Sequence, residues 1–280
     1  MQQRTQLYHS FTEDFVASAQ QDYQLPEGYV WLDESALFRF QAAIARGLGF
    51  LYASCYTKLV LGMRFANREV LRQAGAGGCF IYANHTQPIG DACMPLLAAR
   101  PKRAYVVVSP ANFKVAGIGP FLPWLGALPT SGTVAGTRQL LEAVKARLAQ
   151  GHAVTVYPEG HLWPWNTGIR PLAASAFSLP ASLGYPVFAM TNTYHARKHG
   201  GKPRCTVWLD GPFWPDASLP KRQRKEQLRD AVQAAMLARA ATSDCALVRY
   251  EPAEGAPAMP TAAAPSPPAA APGLQGGEAA

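Results

Sequence analysis

Two short apolar runs, Phe80-Ile81-Tyr82-Ala83 and Ala153-Val154-Thr155-Val156, each break off into a tight polar turn, and that repeat constrains the chain more than any other feature. The first follows Gly75-Ala76-Gly77-Gly78 and ends in Asn84-His85-Thr86-Gln87-Pro88-Ile89-Gly90-Asp91; the second ends in Tyr157-Pro158-Glu159-Gly160-His161. Short runs of β-branched and aromatic residues closed by Pro and Gly read as buried strands. Residues 92–99 then read as the start of a helix, and Ala104-Tyr105-Val106-Val107-Val108 as another buried strand. Residues 137–150 form an amphipathic helix, with Leu140, Leu141, Val144 and Leu148 on one face and Gly151 to end it. Strand, helix and strand in this order predict an α/β fold with a central, mostly parallel sheet flanked by helices. Residues 187–194, after Gly184-Tyr185-Pro186, are expected to complete the sheet beside residues 204–209.

In open sheets of this kind ligands bind outside the carboxyl ends of the strands, which is where both turns fall. His85 is then the natural base. A carboxylate bonded to one ring nitrogen fixes the tautomer and raises the basicity of the other, and Pro88 and Gly90 allow the turn that returns Asp91 to the ring. Glu159 and Gly160 fall near His85. Arg170 lies in the loop after them, where its planar guanidinium suits either a phosphate or a structural salt bridge.

The motifs Asn84-His85…Asp91 and Tyr157-Pro158-Glu159-Gly160 resemble those of the glycerolipid acyltransferases, whose best-known members are the lysophosphatidate (1-acylglycerol-3-phosphate) acyltransferases. The resemblance runs from residue 78 to residue 209, and the strand after Gly184-Tyr185-Pro186 is similar to the family's last motif. Three departures are visible. Five residues separate His85 from Asp91 where the family has four, His161 stands at the family's threonine, and no arginine follows Gly132. The resemblance implies a glycerol-3-phosphate acyltransferase-like fold and O-acyl transfer from an acyl thioester to a lysophospholipid or glycerol-phosphate hydroxyl. His85 would be general base oriented by Asp91, with Glu159, Gly160 and Arg170 holding the acceptor; Arg138 is the reserve phosphate partner. It implies no cofactor beyond acyl-CoA or acyl carrier protein as co-substrate.

Length and charge agree with this reading. A chain of 280 residues with 49% hydrophobic content buries one sizeable core. Its formal charge of +8 becomes +11 for residues 1–250, because 26 basic residues there meet only 15 acidic ones once Glu251, Glu254 and Glu278 are set aside. Such a body suits phosphate-bearing partners, and an anionic membrane surface is expected where nucleic acid is not. Cys55, Cys79, Cys93, Cys205 and Cys245 are scattered and read as reduced thiols. Residues 1–24 hold no apolar run of a secretory signal, so the expected location is cytoplasmic, peripheral on the cytosolic face of the membrane.

Three segments follow: a lead-in and apolar helix over 1–65, a catalytic domain over 66–250, and an Ala/Pro-rich disordered tail over 251–280. Along residues 36–65, Leu37, Phe40, Ile44, Leu48, Leu51 and Cys55 recur at helical spacing between basic flanks, but only residues 47–57 lack charge, too few for the ~20 residues of a membrane span. An interfacial helix and a core-packing helix fit this pattern equally. Residues 115–137, uncharged but rich in Pro and Gly, are expected to form an apolar loop over the site, in which Phe121, Trp124 and Leu125 line an acyl surface or a packed turn. The helix over 220–241 carries a basic start. His195 and His199 read as a basic loop rather than a metal site. Two other classes compete: a non-catalytic lipid-binding relative, and a serine hydrolase using Ser109 or Ser131, which lacks a Gly-x-Ser-x-Gly elbow.

Overall fold

The computed structural model describes residues 3–16, 20–198 and 200–262. Strand β1 (Arg4–Tyr8) leads to helix α1 (Ala36–Cys55), strands β2 (Arg64–Ala66) and β3 (Cys79–Ala83), helix α2 (Gly90–Ala98) and strand β4 (Ala104–Val108). The single turn α3 (Leu122–Leu125), edge strand β5 (Ala127–Pro129), helix α4 (Val134–Ala149) and strand β6 (Ala153–Val156) follow. Helix α5 (Ser178–Leu183), strands β7 (Val187–His195) and β8 (Arg204–Phe213), helix α6 (Lys221–Ala240) and strand β9 (Val248–Pro252) complete the order.

Seven strands form one sheet in the order β2-β8-β7-β3-β6-β4-β5, and only the β7–β8 pairing is antiparallel. Strand β3 lies at its centre with all five residues buried. Its side chains alternate between two cores, as the period of a strand demands. Phe80 and Tyr82 join Leu140, Val144 and Leu148 of α4 and Leu228, Val232 and Met236 of α6. Cys79, Ile81 and Ala83 join Met94 and Ala98 of α2 on the other face. Burying both faces explains why β3 and β6 read as unbroken apolar runs.

Helix α4 begins three residues earlier than its apolar stripe suggests, because Thr133 caps it: the Thr133 hydroxyl accepts from the Gly136 N–H at 3.1 Å. The helix expected over residues 36–65 ends sooner. A π-helical turn, Tyr56–Val60, follows Cys55, and the chain reverses at Gly62, whose φ of +58° favours glycine, before β2 begins. The buried Thr57 hydroxyl donates to Ala53 O at 2.7 Å, an interaction that loosens a helix at this point.

Residues 115–137 do not form an apolar loop over the site. They contain α3 and edge strand β5, and the segment packs against α1: Leu125 approaches Gly49, and the Arg46 Nε donates to Trp124 O at 3.0 Å. Residues 251–262, expected to belong to a disordered tail, pack on the fold instead. Strand β9 runs parallel to β1 with Tyr8 opposite Pro252, the Tyr8 hydroxyl donates to Pro257 O, and the Met259 sulfur lies against Gly168. Residues 263–280 and His199 lie outside the described residues. Lead-in aromatics Tyr8 and Phe15 pack on Trp163, which is wholly buried.

Candidate active site

The site is built at the carboxyl end of β3. Asn84, His85, Thr86 and Gln87 leave the strand without regular secondary structure, the chain turns at Pro88-Ile89, and α2 starts at Gly90 with Asp91 in its first turn. A carboxylate there complements the positive end of the helix and its free N–H groups. Asp91 Oδ2 lies 2.6 Å from His85 Nδ1 and accepts the backbone N–H groups of Thr86 and Gln87, both at 2.9 Å. Its Oδ1 accepts from Asn192 Nδ2 at 3.3 Å. The five intervening residues are therefore accommodated by the turn, whose own N–H groups wrap the carboxylate.

A carboxylate at Nδ1 selects the tautomer with hydrogen on that nitrogen. Nε2 then carries the lone pair, and among the described residues it has no hydrogen-bond partner. His85 is partly exposed, whereas Asp91 is buried at 3%. The imidazole stacks on Tyr157, centroids 4.5 Å apart, and the Tyr157 hydroxyl donates to Asp91 O at 2.6 Å. Burial, with Asp91 beside it, pushes that phenol well above its ordinary value, so it stays a donor.

The second motif meets the first directly. Glu159 Oε2 accepts the His85 backbone N–H at 2.9 Å, and Oε1 accepts the Arg170 N–H at 3.0 Å. Arg170 Nη2 also bonds Glu159 Oε2 at 3.2 Å, Nη1 donates to Phe11 O at 3.0 Å, Nη2 donates to His161 O, and the guanidinium lies over the Trp163 ring. The side chains of Arg170 and Glu159 are 1% and 0% exposed. The structure thus places Arg170 inside the protein as the counter-ion of Glu159, and the phosphate contact expected for it is not available to a guanidinium so enclosed. Glu159 likewise directs its carboxylate at protein N–H groups. Gly160 is exposed, with φ +76° in the turn that brings Glu159 under His85. From the same loop, Trp163 and Trp165 donate their N–H groups to His85 O and Thr86 O at 3.0 and 2.8 Å. Trp165 holds φ +63°, a conformation costly for a bulky residue.

The residues that sequence reasoning missed come from β7. Asn192 bonds Asp91, and its backbone N–H donates to Asn84 Oδ1 at 2.8 Å. The Tyr194 hydroxyl shares a hydrogen bond with Thr86 Oγ1 at 2.7 Å and accepts from Gln87 Nε2 at 2.9 Å. Polar residues inside a strand buried along its whole core length were the signal. Ser109 and Ser131 are occupied elsewhere: Ser109 Oγ caps its own turn by accepting the Ala111 N–H, and Ser131 Oγ pairs with Thr133. His195 bonds Thr193 and Asp244.

Residues 62–192 match the family model described as Acyltransferase. That span contains His85, Asp91, Tyr157, Glu159, Arg170 and Asn192. Over those residues the chain carries an acyltransferase domain. The acyltransferase also shares its fold with the crystal structure of the 1-acyl-sn-glycerophosphate (LPA) acyltransferase PlsC from Thermotoga maritima. The TM-score is 0.52 at 16% identity, over 74% of this chain and 83% of that one. No curated protein matches the sequence. Among the described residues, no helix of the acyltransferase is long and apolar enough to cross a membrane.

Proposed function

We propose that this acyltransferase moves a fatty acyl group from an acyl thioester to the free hydroxyl of a lysophospholipid or glycerol-phosphate acceptor. The observation that carries the reading is the pair His85–Asp91, which leaves Nε2 as an oriented base facing outward. Nε2 takes the hydroxyl proton as the acceptor oxygen attacks the thioester carbonyl. The tetrahedral intermediate collapses, the carbon–sulfur bond breaks, and the proton held on Nε2 passes to the departing thiolate. No acyl-enzyme forms. The donor is acyl-CoA or acyl carrier protein.

Glu159, Gly160 and Arg170 act through His85, fixing its backbone, and leave acceptor binding to other groups. Arg138 takes the acceptor phosphate. It is exposed near the start of α4, a helix that begins, as the His85 turn does, at the carboxyl end of the strands. The outer face of α1 supports peripheral attachment to an anionic membrane. Leu37, Phe40, Ile44, Leu48 and Leu51 are each 51–66% exposed, an apolar stripe on a helix whose other side packs on the domain.

Incubating the protein with an acyl thioester and lysophosphatidate, and following free thiol together with diacyl product by mass spectrometry, tests this. Thiol and phosphatidate should appear one for one. Thiol release without acylated lipid would make the protein a thioesterase, and no product with any lysophospholipid or glycerol phosphate would remove the reading.

A further inference from the structure

A cleft of about 740 Å³ opens at the amino ends of the strands, the opposite edge of the sheet from His85. Residues immediately before β4 (Lys102, Arg103) and before β6 (His152), the last turn of α4 (Arg147) and the inner face of α1 (Arg39, Arg46) line it. With Arg100 the lining holds six cationic side chains against two carboxylates, Asp33 and Glu34. Like charges packed this closely repel, and a cleft lined mostly by one sign of charge concentrates counter-ions.

Part of this charge has an internal use. Lys102 Nζ donates to Gly75 O, Gly77 O and Gly151 O, and Arg46 Nε donates to Trp124 O. The rest is open. The side chains of Arg39 and Arg103 are exposed and have no hydrogen bond or ion pair among the described residues. Arg147 is 8% exposed, yet its Nε is buried without a partner while Nη1 holds Gln150 and Glu34. The Arg46 and Arg147 guanidinium groups both lie over the Tyr105 ring, 4.6 and 4.8 Å from its centroid, which fixes their planes. Planar guanidinium groups held in place bind phosphate oxygens in pairs.

We infer that this cleft is a second binding site, separate from the catalytic one, for an anion bearing two or more phosphate charges. Its volume is several times that of one phosphate, so a diphosphate or a phosphate carried on a larger body fits. The ligand is either an anionic lipid headgroup or a soluble diphosphate ester; both offer the same chemistry to Arg39 and Arg103. His152 reports on the site. Burial first, then Arg103, Arg147, Arg46 and Lys102, hold its imidazole down at about 4, and an anion among those cations would raise it.

Calorimetric titration of the full chain with inorganic pyrophosphate, alongside NMR titration of His152, tests the inference. One pyrophosphate should bind per chain, at least about tenfold more weakly to Arg103→Gln and to Arg39→Gln, and equally to wild type and His85→Ala, while the His152 titration moves upward. Both arginines are exposed and unbonded, so the variants should fold. Competition separates the sources: displacement by phosphatidate vesicles assigns a headgroup, and displacement by adenosine diphosphate a soluble ester. No binding, equal binding to both arginine variants and wild type, or loss of binding in His85→Ala would overturn the site.

Discussion

The Glu159 carboxylate accepts the backbone N–H of His85 at 2.9 Å, so the second motif holds the backbone of the first. The two lie on neighbouring strands, β3 and β6, whose register sets Tyr82 beside Val156, and their turns leave the sheet together. What a sequence shows as two separate signatures is one hydrogen-bonded unit. Arg170 completes it from below, and its task is to compensate Glu159.

Removing Arg170 should therefore damage folding before it damages acceptor binding. A buried ion pair stripped of one partner leaves an uncompensated charge at a cost of about 3–5 kcal/mol. Arg170→Met should lower the urea midpoint by a corresponding amount with an unchanged slope. Unaltered stability together with a raised KM for the acceptor would return Arg170 to the phosphate.

Arg138 is the opposite case, exposed and without structural duties among the described residues. Arg138→Gln should leave the melting temperature unchanged and raise the KM for lysophosphatidate by roughly ten- to a hundredfold, the effect of losing a charged hydrogen bond of about 1.5–3 kcal/mol. The donor KM should not move. Equal KM values for both substrates in variant and wild type would exclude it as the phosphate partner.

His152 makes stability depend on pH. Its folded imidazole titrates at about 4 against 6.5 for the ordinary value, chiefly through burial, so the unfolded chain binds the proton more readily. The contribution of His152 to stability is full above pH 6.5 and is lost as pH falls from 6.5 toward 4. In phosphate-free buffer, His152→Asn should lose less stability over that interval than wild type. Parallel losses would show that the imidazole is not held down.

The stripe on α1 offers a clean membrane test because Leu48 is 65% exposed and the fold does not need it. Burying a leucine in lipid contributes about 1.5–3 kcal/mol, so Leu48→Glu should weaken binding to anionic vesicles by tenfold or more. Raising the salt should weaken wild-type binding without abolishing it, since screening beyond ~8 Å acts on the charges alone. No vesicle association at low salt would overturn the attachment.

The fold was legible where local pattern and burial coincide. Strand β4 has the bounds its composition gives, and the strand–turn–helix around His85 follows from an apolar run, Pro88 and Gly90. What escaped was set by tertiary partners. Nothing in residues 1–16 or 248–252 tells that β1 and β9 pair, since the contact spans nearly the whole chain. Residues 115–137 carry no charge because part of the segment packs on α1, and an uncharged stretch does not reveal its partner. In the site, Asp91 was visible from spacing, while Asn192 and Tyr194 were hidden in a strand that reads as core. For Arg170 the sequence left phosphate and salt bridge both open, because it shows a charge near a motif but not whether a carboxylate already holds it.

The central claim is that His85, oriented by Asp91, takes the acceptor's proton. The most direct measurement is the rate of acyl transfer from an acyl thioester to lysophosphatidate by wild type, Asp91→Asn and His85→Ala, each with its thermal unfolding recorded. A positioned general base contributes about 10²–10⁴-fold. His85→Ala should fall by that factor or more while unfolding as wild type does, and Asp91→Asn should keep a small residual rate. A folded His85→Ala that transfers acyl groups as fast as wild type would contradict the account.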